Sequence, residues 1–79
     1  MFYVYILQSL KDNDRFYTGY TDDLKRRLKE HNDGKSIHTN KYTPWKIKNY
    51  FAFDHELKAK QFESYLKSQS GREFIKRHF

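Results

Sequence analysis

Apolar and polar positions divide the chain into short segments, and the most apolar segment comes first. Residues 2–7 (FYVYIL) are apolar on both alternating sides and mostly aromatic or β-branched, a pattern typical of a central strand that is covered on both faces. The polar residues 11–14 (KDND) predict a turn. Residues 15–21 (RFYTGYT) predict a second strand, which forms a hairpin with the first.

A helix is predicted after the hairpin. Asp22 is its expected N-cap, because a short acidic side chain can accept hydrogen bonds from the free N–H groups of the first turn. The residues that follow at helical spacing are Leu24, Leu28 and His31. The helix should end near residues 33–34, with Gly34 in the left-handed conformation that commonly terminates helices.

A loop and a third strand are predicted next. Residues 35–44 are polar and basic and predict the loop. From residue 45 to residue 53 the pattern alternates, which predicts a half-buried strand with Asn49 interrupting its apolar side. The apolar side comprises Trp45, Ile47, Phe51 and Phe53, and the opposite side comprises Lys46, Lys48, Tyr50 and Ala52.

Two further helices are predicted in the C-terminal third of the chain. Asp54 is expected to cap a long helix. The inner face of that helix should carry Leu57, Ala59, Phe62 and Leu66. Ser70 and Glu73 form a capping-box pattern, which starts a short terminal helix containing Phe74 and Ile75.

The resulting order of elements, β-β-α-β-α-α, restricts the topology. The hairpin places the second strand antiparallel to the first, and a right-handed crossover carries the third strand to the other side of the first. The sequence therefore predicts a three-stranded, mainly antiparallel sheet in the order 2-1-3 with helices packed against it. The fold class is α+β, an α/β sandwich, and a chain of 79 residues allows a single domain over residues 1–79.

Composition and charge restrict the classes of function. Sixteen Lys and Arg against ten Asp and Glu give a net charge of +6 at pH 7, which favours a polyanionic partner, with nucleic acid ahead of an anionic membrane surface. The absence of cysteine excludes disulfides, a thiol nucleophile and cysteine zinc sites, and it fits a reducing cytoplasm. No apolar run is long enough to span a membrane, and no glycine-rich phosphate loop is present.

Two charged residues lie where helical spacing predicts apolar ones. Arg27 lies on the apolar stripe of the first helix, where an arginine commonly lays its stem over the edge of the core and keeps its head in water. Glu63 lies at the border of the buried stripe of the next helix. A carboxylate there normally needs a cation, which is either a metal or a basic side chain such as Arg27 or Lys67.

Aromatic and imidazole side chains add further candidates. Tyr5 and Tyr17 share a face of the hairpin if its loop has three or five residues, and a loop of two or four residues separates them. Most tyrosines in such positions are core residues with a solvated hydroxyl. The four histidines show no spacing typical of a zinc site.

Four motifs in order, YVYIL, FYTGYT, DLKRRLKEHN and KQFESYLK, make the chain resemble the GIY-YIG nuclease superfamily, and most closely its small single-domain bacterial members. Residues 3–5 (YVY) and 17–19 (YTG) stand at the two family triplets, and neither triplet is literal. The resemblance spans nearly the whole chain and implies a three-stranded antiparallel sheet with flanking helices. Several members carry an Asn near the end of the domain, whereas this chain has none after Asn49.

The resemblance also implies an activity and a site. Tyr5 and Tyr17 match the two motif tyrosines, and Glu63 matches the acidic residue that holds a divalent metal. Arg27 matches the helix arginine, and His31 matches a histidine one turn later. The implied activity is hydrolysis of DNA phosphodiester bonds with Mg²⁺ or Mn²⁺. Tyr5 is the expected general base and Arg27 the phosphate ligand, while Tyr17 and His31 would orient the water or the base.

Substrate binding is expected to depend mainly on contacts with the phosphate backbone of DNA. The candidate residues are Lys35, Thr39, Lys41, Lys46 and Lys48. No base-reading helix is recognisable, so the leading hypothesis is an endonuclease selective for DNA structure, such as branched or damaged DNA in repair or recombination. A protein partner could direct it to its target, and no membrane partner is expected. The alternatives are a nucleic-acid-binding module of the same fold without effective catalysis and a small protein-interaction domain.

Overall fold

Three strands form one antiparallel sheet in the order β2-β1-β3. In the computed structural model, which describes residues 1–78, β1 spans Phe2–Ser9, β2 spans Phe16–Thr21 and β3 spans Trp45–Phe53. The continuous apolar run forms the central strand because that position is covered on both faces. The α+β fold class, the strand order and the central position of β1 are confirmed.

The β1–β2 hairpin has the register that brings the two motif tyrosines to one face of the sheet. Tyr5 pairs with Gly19, and Leu7 pairs with Tyr17. The N–H of Ser9 donates to the carbonyl of Arg15 at 3.0 Å, so five residues separate this last pair. Side chains of directly opposed residues project to the same face, and the five-residue alternative left open by the sequence is the correct one.

Helix α1 spans Leu24–Asn32 and begins one residue later than its expected cap implies. The N-cap is Asp23, whose carboxylate accepts a hydrogen bond from the N–H of Arg26 at 3.1 Å. The prediction of Asp22 as the cap was wrong, since this residue instead pairs with the Arg26 guanidinium at 2.9 Å. The helix ends as expected, with Gly34 at a φ of 77°.

The other two helices are α2, Glu56–Lys67, and α3, Gln69–His78. His55, and not Asp54, precedes α2, and it makes no side-chain capping bond. Ser68 takes the capping position predicted for Ser70, because its hydroxyl accepts from the N–H of Gly71 at 3.2 Å. Between α1 and β3, the predicted loop contains a short 3-10 turn at Asn40–Tyr42.

The sheet is covered on both faces, and each face has its own core. The core on the α1 side is formed by Tyr5, Leu7 and Trp45, with Leu24 and Leu28 packed against it. The core on the side of α2 and α3 contains Val4, Ile6, Ala59, Leu66 and Ile75, with Phe62 against it. Leu57, predicted on the inner face of α2, is 67% exposed. It precedes the buried Ala59 by two residues, which on a helix of 3.6 residues per turn is a rotation of about 200°, so it lies on the opposite side of α2.

An irregularity in β3 changes which face its side chains occupy. Leu7 pairs with Ile47 while Ile6 pairs with Asn49, so Lys48 is an extra residue on β3. A one-residue shift moves the following side chains to the other face of a sheet. Trp45 and Ile47 therefore join the core of the α1 side, and Phe51 and Phe53 join the opposite core. The prediction of one continuous apolar side was wrong.

Candidate active site

A chain of hydrogen bonds starts at the central strand. Tyr5 is 2% exposed, and its hydroxyl oxygen lies 2.9 Å from Nε2 of His31 on α1. Nδ1 of His31 lies 2.7 Å from the hydroxyl oxygen of Thr39. The indole N–H of Trp45 donates to the Thr39 carbonyl at 2.9 Å, which fixes the far end. His31 and Thr39 are completely buried, so the chain links the Tyr5 hydroxyl to the interior of the loop.

Tyr17 lies against this chain on the same face of the sheet. Its ring centroid is 5.1 Å from that of His31 and 6.5 Å from that of Tyr5. Gly19 makes this packing possible, because a Cβ atom at that position would overlap the Tyr5 hydroxyl. The absence of a side chain on β2 thus lets the Tyr5 ring lie flat over the neighbouring strand.

Arg27 provides a positive charge beside the Tyr5 hydroxyl. Its guanidinium donates to Glu30 at 3.0 Å, and its side chain is 33% exposed. The hydrogen bond to Glu30 raises the pKa of Arg27 above its usual value, and Glu30 has a lowered pKa for the same reason. The aliphatic stem of Arg27 lies with Tyr5 and Leu28 over the edge of the core. Arg27 therefore packs as arginines at the edge of a core commonly do.

Glu63 provides a negative charge within electrostatic reach of the same hydroxyl. Its side chain is 22% exposed, and the Lys67 ammonium pairs with it at 3.0 Å. The cation expected beside this carboxylate is therefore Lys67 and not Arg27. Arg27 lowers the pKa of Tyr5, and Glu63 raises it, which means that both charges act on the Tyr5 hydroxyl although they belong to helices on opposite faces of the sheet.

Burial controls the protonation of the two central groups. Burial raises the pKa of Tyr5 to about 12, and the Arg27 guanidinium opposes that shift. Burial lowers the pKa of His31 to about 4, and the Arg27 charge acts in the same direction. At neutral pH the site therefore contains a protonated phenol and an uncharged imidazole, joined by one hydrogen bond.

The site offers a divalent metal one carboxylate. Within residues 1–78, no group of three His, Cys, Asp or Glu side chains could hold a metal ion. Mg²⁺ is commonly bound by one or two carboxylates with water and substrate phosphate completing the shell. Glu63 fits such a site, provided that its carboxylate exchanges Lys67 for the metal.

The residues predicted to contact nucleic acid are scattered. Lys35 and Lys41 are exposed in the loop, and the Lys41 ammonium lies 5.8 Å from the Tyr42 ring centroid. Lys46 pairs with Gln8 across the strands, which places it on the face opposite Tyr5. Thr39 does not suit a phosphate contact because it is completely buried against His31.

Sequence reasoning named Lys67 as a possible partner of Glu63, but it missed the burial of Thr39 and the contact of Lys67 with Tyr17. A threonine in a basic loop carries no periodic signal that would reveal its burial. Lys67 follows Glu63 by four residues, a spacing that predicts an ion pair on a helix, but its contact with the Tyr17 ring at 5.8 Å depends on how α2 crosses β2.

Among the described residues, no helix has the length and apolar character needed to cross a bilayer.

Comparisons with known proteins give a consistent result. A family model described as the GIY-YIG catalytic domain matches residues 1–77. A UPF0213 protein of Streptococcus agalactiae is 36% identical over 80 residues, covering 96% of this chain and 89% of that protein. One of Haloquadratum walsbyi is 37% identical over 67 residues, covering 84% and 73%. The solution structure of the UPF0213 protein BH0048 of Bacillus halodurans has 37% identity and a TM-score of 0.56, covering 95% of this chain and 82% of that one.

Proposed function

Since this chain belongs to the GIY-YIG family of catalytic domains, a nuclease superfamily, we propose that it is a divalent-metal-dependent endonuclease that hydrolyses DNA. The observation that carries the proposal is that charges from two helices lie around one pair of tyrosine rings. Arg27 of α1 lowers the pKa of Tyr5. Glu63 of α2 pairs at 3.0 Å with Lys67, whose ammonium lies 5.8 Å from the Tyr17 ring centroid. Phosphodiester hydrolysis needs a base, a phosphate ligand and a metal ligand together, and the side chains of Tyr5, Arg27 and Glu63 are suited to these three parts.

Each side chain has a distinct part in this reaction. The Tyr5 phenolate would take a proton from the attacking water, and the positive charge of Arg27 favours that phenolate. Arg27 uses one guanidinium nitrogen on Glu30, and its remaining donors suit a phosphate oxygen. Glu63 would hold Mg²⁺ or Mn²⁺, which when bound neutralises phosphate charge and stabilises the leaving oxygen.

Tyr17 and His31 would orient the base. His31 holds the Tyr5 oxygen by a hydrogen bond, and the Tyr17 ring packs against both rings. The sequence contains no recognisable base-reading helix, so we expect selectivity for DNA structure over sequence and a steep dependence on salt. A role in DNA repair or recombination, with a protein partner for targeting, follows from this kind of selectivity.

The decisive experiment compares two matched glutamate variants on α2. The unaltered protein should nick plasmid and branched DNA in the presence of Mg²⁺ or Mn²⁺. Glu63→Gln should reduce the rate by about 100-fold or more, because the metal loses its carboxylate. Glu56→Gln removes an equal charge from the exposed first turn of the same helix and should retain activity.

Two results would count against the proposal. Undiminished cleavage by Glu63→Gln would reject the metal assignment. DNA that is bound but never cut by the unaltered protein would favour the second candidate, a nucleic-acid-binding module of the same fold. That candidate is favoured by one observation, since the Lys67 ammonium occupies the Glu63 carboxylate at 3.0 Å.

A further inference from the structure

Cations and aromatic rings alternate along the turn end of the hairpin. The Arg15 guanidinium lies 4.7 Å from the Tyr42 ring centroid, and the Lys41 ammonium lies 5.8 Å from it. Tyr42 and Tyr17 both pack against the core of the α1 side. Arg15 also makes a loose pair with Asp12 at 3.5 Å, with both side chains substantially exposed. The 3-10 turn and the start of β2 thus form one cationic surface.

This surface continues into a groove between β2 and α3. The groove has a volume of about 980 Å³, and one of its walls is formed by Arg15 and the first three residues of β2, Phe16, Tyr17 and Thr18. The wall from α2 and α3 includes Lys67, Arg72 and Lys76. Phe16 is 42% exposed, so an aromatic ring is open to a ligand in the groove. These cations and rings together are called the cationic band, which comprises Arg15, Phe16, Tyr17, Lys41, Tyr42, Lys67, Arg72 and Lys76.

Two of the five cations of the band, Arg15 and Lys67, are paired with Asp12 and Glu63, and the carboxylates of Asp14 and Glu73 line the groove. The cations available to a ligand are therefore concentrated on α3. Within residues 1–78, the Arg72 and Lys76 side chains form no ion pair with any carboxylate. Unpaired cations spaced by four residues on one helix face suit successive anionic groups of an extended ligand better than a single anion.

We propose that the cationic band binds the polynucleotide on one side of the bond to be cut, from Tyr17 along the groove to α3. This inference rests on the proposed function, because it assigns the substrate's path to and from that site. The occupant is a polynucleotide because the band combines phosphate-binding cations with open rings, on which sugars and bases can pack. An acidic peptide would use the cations but not the rings.

The test measures binding and does not depend on cleavage. A labelled DNA oligonucleotide is titrated in metal-free buffer at several salt concentrations, and affinity is followed by fluorescence anisotropy. The double variant Arg72→Gln/Lys76→Gln should reduce the slope of log Kd against log salt by about 2, one for each lost phosphate contact. At a fixed salt near 0.1 M, its Kd should rise roughly 10- to 100-fold, because each lost phosphate contact removes close to one decade between 1 M and 0.1 M salt.

A matched control removes the same charge elsewhere. Lys25→Gln/Lys58→Gln alters exposed lysines of α1 and α2 that do not line the groove, and its Kd should change less than twofold. Circular dichroism establishes that every variant is folded. Equal losses in both double variants would overturn the inference, since attraction would then follow net charge alone. Equal affinity of the unaltered protein for polyglutamate would also overturn it.

The proposed function and this inference fail in different ways. If the unaltered protein cuts no DNA but the Arg72→Gln/Lys76→Gln variant still loses affinity, the endonuclease assignment fails and the binding path stands. If the unaltered protein cuts DNA and this variant binds as tightly as the unaltered protein, the binding path fails and the endonuclease assignment stands.

Discussion

The Tyr5 phenol is the residue on which the proposed chemistry depends, and its surroundings keep it protonated. Burial raises its pKa to about 12, and the Arg27 guanidinium opposes this shift. His31 cannot accept a proton readily either, because burial lowers its pKa to about 4. Tyr5 would therefore act as a base at neutral pH only when a bound metal ion adds positive charge that lowers its pKa.

The raised pKa of Tyr5 predicts that the activity depends on pH. Below the pKa of an acid, its ionised fraction rises tenfold per pH unit. Activity limited by the Tyr5 phenolate should therefore increase from pH 7 to pH 9, with a slope of up to one in a plot of log kcat/KM. Tyr5→Phe should abolish this activity while the fold is retained. A rate that does not change over this range, or an active Tyr5→Phe variant, would exclude Tyr5 as the base.

The Thr39 hydroxyl is completely buried beside Nδ1 of His31, and its removal should affect catalysis. If Thr39 donates to Nδ1, neutral His31 carries its proton on Nε2 and donates to the Tyr5 oxygen, which favours the phenolate. Thr39→Val should therefore lower kcat about tenfold, the effect of one hydrogen bond, with KM nearly unchanged.

Thr39→Ser serves as the control because it keeps the hydroxyl. Nitrogen NMR of the His31 ring should show the Nε2–H form in the unaltered protein and in Thr39→Ser. The Nδ1–H form in the unaltered protein, or a loss of activity in Thr39→Ser as large as that in Thr39→Val, would contradict this role for Thr39.

At the scale of elements, the sequence predicted the strands and helices well and the faces of β3 poorly. The apolar run of β1 and the spacing of Leu24, Leu28 and His31 are local signals, and they were sufficient to predict the central strand and the first helix. The extra residue Lys48 is not a local signal, because a bulge exists only in relation to the partner strand. Phe51 consequently lies on the face opposite to its expected one.

The candidate site could likewise be predicted only where the signal is local. Arg27 and Glu63 stood out because each breaks the apolar pattern of its own helix, and resemblance supplied Tyr5. The contact between Thr39 and His31 joins a loop to a helix, and nothing in the chain's periodicity predicts it.

Gly19 allows a test of how β2 positions Tyr5, because the absence of a side chain there leaves space for the Tyr5 ring of β1. A Cβ atom at this position would overlap the Tyr5 hydroxyl, so Gly19→Ala must displace the Tyr5 ring from His31. Overpacking of this kind typically costs about 1–3 kcal/mol. We expect a folded protein with activity reduced by at least about tenfold and a urea midpoint that is moderately lower. Full activity of Gly19→Ala would show that the position of the Tyr5 ring is not critical.

At the scale of the whole molecule, two small cores on either side of one sheet hold the site between them. Tyr5 belongs to the core of the α1 side, whereas Glu63 lies on α2, which packs on the other face. The site therefore exists only when both layers are assembled. Its buried groups consequently contribute to the pH dependence of stability of the whole domain.

His31 makes that dependence specific. At pH 7 the imidazole is neutral in both the folded and the unfolded chain, so its pKa has no effect on stability. Below the ordinary pKa of 6.5, the unfolded chain binds a proton that native His31 does not bind until about pH 4. The free energy of unfolding should therefore fall by about 2 kcal/mol between pH 7 and pH 5. Urea denaturation at both pH values measures this, and His31→Gln should lose most of the difference. An unchanged difference in that variant would mean that other groups cause the acid sensitivity.

The extra residue in β3 also affects how this protein behaves in concentrated solution. β3 borders the sheet, and a straight border strand can pair with the same strand of another molecule. The irregularity at Lys48, flanked by a second exposed lysine at Lys46, interrupts the row of free N–H and C=O groups and charges it. The same insertion that divides the aromatic residues between two cores should therefore disfavour pairing of β3 with β3 of a second copy.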